Sequence, residues 1–399
     1  CKNYKPIIVV EAKNEKTKID NAINEATDYA DAINQHGTYH VNIAVGVAGE
    51  EDNGYLFVTK FYNGTEWVEL SARGYKLTSF PSVSEVDNAI ITNNGTTEVS
   101  IPNVSDYITT AIELSSILRS AKIEPSLRPK VLGAVITALY QGEIDLTEGN
   151  ELNSINKLVK TAINSTDHFE ENKKRQLIDT LKMSEADYAR LAPKMGKIIY
   201  ILKMLNIKSI LQTDTDFLGL LYEAFIRYGY DNNSLGIVFT PRHITKFCAE
   251  LIDVNASDKV IDIACGSGGF LVASFDKMLS THTEMGIPFN VIREALYGFD
   301  TNPTVWALAA LNMFFRGDGK SHIENASCFE TNSVNSIKDR FTKALLNPPF
   351  SQEEEPERDF IDVAMKSLQT LGLMAVVVKS GIFADDDNAL WRGTFLKEH

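Results

Sequence analysis

Apolar positions in this chain recur first at the spacing of strands, then of helices, and finally of strands and helices in alternation. The run Pro6-Ile7-Ile8-Val9-Val10-Glu11-Ala12-Lys13 predicts an opening strand, followed by an amphipathic helix from about Thr17 to Asn34 and strands near Val41 to Ala48 and Tyr55 to Phe61. From Leu77 to Asn103 the pattern dissolves into Ser, Thr, Asn and Val, which predicts a linker with one hairpin around Asn93-Asn94-Gly95-Thr96. Helical spacing then runs from Asp106 to about Tyr230, for example at Ile112, Leu114, Ile117 and Leu118, at Leu177, Ile178 and Leu181, and at Ile198, Ile201, Leu202 and Leu205. Several helices should pack there as a bundle.

Strands near Lys259 to Ala264, Leu296 to Asp300, Ile323 to Ala326, Ala344 to Asn347 and Leu373 to Val378 should form a parallel sheet in the order 3-2-1-4-5. Ligands of such sheets sit at the carboxyl ends of the strands. A last helix is expected from Asn388 to Glu398. The division is therefore residues 1–75, an α/β module; 76–105, a linker; 106–232, a helical domain; and 233–399, an α/β domain. A length of 399 residues with 44% hydrophobic content suits two or three domains with real cores. No signal peptide or long apolar span appears, so a soluble, cytoplasmic protein away from membranes is expected. Cys1, Cys248, Cys265 and Cys328 show neither metal-binding nor disulfide spacing, and Cys265 reads as a small packing residue.

The candidate chemistry lies at the ends of the later strands. Asn347-Pro348-Pro349-Phe350 follows the apolar run Ala344-Leu345-Leu346. An aromatic amine such as N6 of adenine is a poor nucleophile, because its lone pair is delocalised. The side-chain oxygen of Asn347 and the carbonyl of Pro348 could accept both amine hydrogens and turn the lone pair outward, while Phe350 stacks on the base. Two prolines fix the backbone and remove competing donors. The same residues also suit a plain strand-to-loop turn, which Asn-Pro commonly starts.

Cys265-Gly266-Ser267-Gly268-Gly269-Phe270-Leu271 reads as a glycine-rich turn opening a helix, where backbone can approach a ligand closely. A dinucleotide fingerprint needs glycine at the position of Leu271, so a nucleoside without a pyrophosphate, such as S-adenosylmethionine, is the better match. Asp300 ends the next strand and could accept both ribose hydroxyls, or could cap a helix before Pro303.

Taken in order, Phe239-Thr240-Pro241-Arg242, Asp262 to Leu271, Gly298-Phe299-Asp300 and Asn347 to Phe350 resemble the N6-adenine DNA methyltransferases of restriction-modification systems. The resemblance is to type I modification subunits and to fused restriction-modification enzymes. It covers roughly Asp216 onward, including Asp216-Phe217-Leu218-Gly219 and Tyr222-Glu223, and implies a Rossmann-like S-adenosylmethionine sheet truncated at its C-terminus. By it, Thr240 and Pro241 would line the methionine end of the cofactor, and Asp262, Ala264, Gly266 and Gly268 its centre. Asp300 would hold the ribose, and Asn347, Pro348, Pro349 and Phe350 would carry the transfer without metal. Many relatives have Gly-Asp-Ser after the third strand. Here the run is Asn325-Ala326-Ser327-Cys328, which leaves Asn325 or Ser327 for the cofactor adenine.

Glu11 and Lys13 lie on one face of the first strand and resemble the Glu-x-Lys half of restriction-type nucleases, so residues 1–75 are expected to be an incomplete module of that kind. Mg2+ is implied only if that module is active. Glu25 and Tyr29 stand where type I motor subunits tend to have Gln and Tyr; the plainer reading is an edge strand with solvated charges.

A net charge of −14 sits awkwardly with double-stranded DNA, whose binding depends on Lys and Arg. Acidic runs such as Glu353-Glu354-Glu355-Pro356-Glu357 read as solvated faces, as does the Lys173-Lys174-Arg175 helix end. The expected partners are DNA and a specificity subunit or fused recognition domain. Cytosine-N4 or protein-glutamine methylation, and a non-catalytic DNA-binding or assembly subunit, are the competing readings.

Overall fold

The computed structural model describes residues 6–37, 39–98, 102–147, 149–166, 169–210, 220–221, 224–225, 240–318, 320–349 and 355–398. Two compact units are present, residues 1–162 with 182–232 and residues 163–181 with 233–399. No helix of the described residues is long and apolar enough to cross a membrane.

In the first unit, strands β1 (Ile8–Lys13), β2 (Ile43–Glu50), β3 (Gly54–Tyr62) and β4 (Trp67–Glu69) form a sheet in that order. Strand β1 runs parallel to β2, and the other pairings are antiparallel. A parallel pair needs a crossover, and helix Ile19–Gln35 supplies it, burying Ala22, Ile23, Ala26 and Ala30. Ile23, Ala26 and Ala44 make the core of this layer, with Val9, Val58 and Trp67 packed around them.

The expected hairpin linker is replaced by more regular structure. Short strands β5 (Ser71–Ala72), β6 (Tyr75–Lys76) and β7 (Thr96–Thr97) form a small sheet, and helix Val83–Thr92 lies between its last two strands. The helix starts at a capping box in which Ser82 accepts from the Glu85 N–H and Glu85 accepts from the Ser82 N–H. Val86 and Ala89 are its buried face. The polar flanks conceal a signal that Ser82-x-x-Glu85 already carries.

The helical region contains Val104–Ser120, Arg128–Gln141, Glu151–Asn164, Glu171–Leu181 and Glu185–Lys203. Leu114, Leu118, Leu177, Leu181, Ile198 and Leu202 are buried as their spacing predicts, whereas Ile112 faces solvent. Helix Glu171–Leu181 belongs to the second unit. There the Lys173 ammonium donates to the Ser321 carbonyl at 2.7 Å and lies 4.9 Å from the Phe169 ring centroid. Burial pushes its pKa down to about 8. Lys173 is thus a packed residue, not a solvated helix end, because its stem lies along the chain that leads into the sheet's outermost strand.

That sheet comprises β8 (Val260–Asp262), β9 (Leu296–Phe299), β10 (His322–Glu324), β11 (Phe341–Leu346) and β12 (Leu368–Val376). All its pairings are parallel and the order is β10-β9-β8-β11-β12, the 3-2-1-4-5 arrangement expected. On one face, Ile261, Phe299, Phe341, Ala344 and Leu346 pack with Phe360, Val363 and Ala364 of helix Glu357–Ser367. Helix Gly269–Thr281 packs on β8 and β9, and helix Pro303–Phe315 on β10. Helices on both faces explain why these strands read as continuous apolar runs.

Candidate methyl-transfer site

The chain leaves β8 at Asp262 and turns through Cys265-Gly266-Ser267-Gly268 into helix Gly269–Thr281. Gly266 and Gly268 have φ of +55° and +85°, a conformation that side chains rarely adopt. A Cβ on Gly266 would point into open space, whereas one on Gly268 would lie 3.4 Å from Ala309. Among the described residues the turn is therefore bare at Gly266, which fits a nucleoside cradled by backbone.

Asp300, just past β9, ties this turn down. Its two carboxylate oxygens accept from the backbone N–H of Gly266 at 3.0 Å and of Asn302 at 2.8 Å. Each oxygen keeps a further lone pair, so hydroxyl groups can still be accepted. The carboxyl lies above its usual range because burial outweighs those hydrogen bonds. Asn325, past β10, donates its side-chain N–H to the Asp300 carbonyl at 2.8 Å. Its second side-chain N–H and its side-chain oxygen are left for other partners.

Asp262 is almost wholly buried, and its Oδ1 accepts from the Ala264 N–H at 3.1 Å. Burial pushes its pKa from 3.8 up to about 8, with Asp300 adding a like charge. The unfolded chain loses this proton near its usual value, so between about pH 4 and about 8 the native state holds the extra proton, and native stability declines as pH rises through that window. Asp262→Asn, which keeps an acceptor for Ala264, should remove this decline. Thermal denaturation without cofactor should show the variant gaining on the native protein from pH 5 to 8. A stability difference between the two proteins that stays constant from pH 5 to 8, or that moves in favour of the native protein, would refute the buried-acid account.

Asn347 follows β11 directly beside this turn. Its amide N–H donates to Thr240 Oγ1 at 2.9 Å, which fixes the side chain. Its Oδ1 is buried and has no hydrogen-bond partner among the described residues. Pro348 is buried and Pro349 half-buried, while Phe350 and Phe239 lie outside the described residues. Pro241 is the N-cap of helix Arg242–Leu251, and its carbonyl accepts from Ile244 and Thr245. The structure thus gathers Thr240, Pro241, Asp262, Ala264, Gly266, Gly268, Asp300, Asn325 and Asn347 at the carboxyl edge of one sheet. Cys265, also on the turn, is buried, and its thiol is raised well above the usual range by burial.

In the first unit, the Lys13 ammonium lies 3.0 Å from Glu11 and 2.6 Å from Glu25. The hydrogen bonds it donates to Glu25 and then to Glu11 raise its pKa. Both carboxylates are directed at the lysine, and no group of three or more metal-ligating side chains occurs among the described residues. The donor set for Mg2+ is not met there.

Two contributions escaped the sequence reading. The Thr240 hydroxyl positions Asn347 from 107 residues away, and no local pattern announces such a partner. Glu357, read as part of a solvated acidic run, has a buried carboxylate oxygen with no hydrogen-bond partner among the described residues.

Residues 213–389 match the N-6 DNA Methylase family. The type II restriction enzyme and methyltransferase RM.BcgI of Heyndrickxia coagulans is 38% identical over 182 residues, covering 43% of this chain and 28% of that protein. The type I restriction enzyme MjaIX methylase subunit of Methanocaldococcus jannaschii is 27% identical over 208 residues, covering 50% and 34%. The chain thus spans about a third or less of the length of these relatives. Among solved structures, a modification subunit from Vibrio vulnificus shares the fold at 17% identity and a TM-score of 0.50, over 75% of this chain and 76% of that one. The parallel sheet and its glycine turn lie within the segment that matches the N-6 DNA methylase family.

Proposed function

We propose that this chain transfers a methyl group from S-adenosylmethionine to N6 of adenine in double-stranded DNA, as the modifying part of a restriction-modification system. The observation that carries the reading is the buried Oδ1 of Asn347, held by Thr240 beside the glycine turn and without a hydrogen-bond partner among the described residues. Leaving a buried acceptor unpaired costs about 1–3 kcal/mol, and an incoming amine hydrogen relieves that cost. Thr240 and Pro241 would border the methionine end of the cofactor, Asp262, Ala264, Gly266 and Gly268 its centre, Asp300 the ribose and Asn325 the adenine.

When bound, the cofactor supplies an electrophilic methyl group on a sulfonium. Asn347 and the Pro348 carbonyl orient the amine toward it, and the bare turn lets the two approach in line. The target adenine must leave the duplex stack to reach this edge, at a cost of a few kcal/mol. A net charge of −14 gives the chain weak attraction for phosphate, and a specificity subunit or recognition domain supplies the DNA contact. Incubating the protein and its partner subunits with unmodified host DNA and cofactor labelled in the methyl group tests the reading. Label should pass to DNA; label that stays in the cofactor, or passes to protein, contradicts it.

A further inference from the structure

The bond between Thr240 and Asn347 sets a direction as well as a position. Asn347 Nδ2 donates to Thr240 Oγ1 at 2.9 Å. A side-chain amide turned over about its last bond fills almost the same space, with oxygen and nitrogen exchanged. For an incoming amine the two orientations are chemically opposite, because the oxygen accepts its hydrogens and the NH2 group repels them. Shape alone does not choose between them. A hydroxyl donates as readily as it accepts, so Thr240 could hold the turned amide equally well by donating to Oδ1.

The choice therefore rests on the Thr240 hydrogen. While Asn347 is the donor, that hydrogen is directed elsewhere, and the more strongly another acceptor holds it, the more firmly Oδ1 is left for the amine. Thr240 is half-buried and immediately precedes Pro241, the N-cap of helix Arg242–Leu251. The positive end of the helix dipole favours an acceptor with negative charge at this place. A hydrogen bond to a charged acceptor is worth about ten-fold or more in an equilibrium constant, enough to settle an orientation that is otherwise nearly balanced.

We propose that Thr240 is a positioning residue that couples cofactor occupancy to the orientation of Asn347. When its hydroxyl donates to the methionine carboxylate of S-adenosylmethionine, Thr240 can only accept from Asn347, and the amide oxygen is held for the target amine. Without that carboxylate the amide is free to turn, and the site recognises the amine poorly. Cofactor binding thus prepares the site for adenine. The inference rests on the methyl-transfer reading above, in which Thr240 borders the methionine end of the cofactor.

The test uses the full-length enzyme with its subunits and a duplex carrying the methylated site, located by sequencing modified host DNA. Affinity for this duplex, and for one with purine riboside in place of the target adenine, is measured at saturating S-adenosylhomocysteine and again at saturating decarboxylated S-adenosylhomocysteine. Purine riboside lacks the amine, and its weaker pairing affects both series equally. The preference for adenine should be about three-fold or more greater when the carboxylate is present. An equal preference in the two series overturns the inference. Calorimetry without DNA supplies a second readout. Thr240→Val should bind S-adenosylhomocysteine about ten-fold more weakly than native and the decarboxylated compound as native does, and Thr240→Ser should restore the difference. A residue that only packs predicts an equal loss for both ligands, or none, and either result contradicts the inference. The native series needs no variant and decides the matter even if Thr240→Val folds poorly. Native enzyme that methylates adenine but shows equal preferences sinks only this inference; native enzyme that methylates no adenine sinks the methyl-transfer reading with it.

Discussion

Replacing Asn347 with Ala should slow methyl transfer by about a hundred- to a thousand-fold and leave cofactor affinity as it is. The separation follows from geometry. Asn347 follows β11 and donates to Thr240, and among the described residues no hydrogen bond links it to the glycine turn or to Asp300. The substitution removes an acceptor that is already positioned and desolvated, which is the kind of group that acts in the transition state and little in ground-state binding. Single-turnover rates together with calorimetric cofactor titration check the result. Loss of both rate and cofactor affinity would mean that Asn347 supports the fold of the site; a rate within a few-fold of native would remove it from the chemistry.

Asp300→Ala should instead weaken cofactor binding by about ten- to a hundred-fold, as expected for lost hydrogen bonds to a charged acceptor. Two roles are combined in this residue. It anchors the turn through Gly266 and Asn302, and it is positioned to take ribose hydroxyls. A cofactor analogue lacking those hydroxyls separates them. If Asp300 binds the ribose as well as the turn, the substitution should cost the analogue less affinity than it costs the cofactor. An equal loss for cofactor and analogue would assign Asp300 to the turn alone, and unchanged affinity for both would remove it from the site.

Much of the parallel sheet was legible because each strand is an apolar run ended by a residue with distinct chemistry: Asp262, Asp300, Asn325 and Asn347. Parallel strands buried on both faces leave little choice of period, and the right-handed crossover rule leaves few orders. The register that sets Asp262 level with Gly298 follows from that order. The linker was misread because Ser and Asn serve both turns and caps, and only the Ser82–Glu85 pairing tells them apart. Helical periodicity marks a buried face but not what buries it. For that reason the place of Glu171–Leu181 beside the parallel sheet was invisible, as was the packing of Lys173 against Ser321. Glu357 illustrates the same limit, since charge runs report composition and not which carboxylate oxygen the fold buries.

The amine-orienting role of Asn347 is the claim on which the rest depends, and the identity of the methylated atom tests it most directly. DNA treated with the enzyme, its subunits and S-adenosylmethionine would be digested to nucleosides and resolved by mass spectrometry. The account predicts N6-methyladenine that is present with native protein and absent with Asn347→Ala. Methyl groups on cytosine, or N6-methyladenine formed equally by the variant, would contradict it.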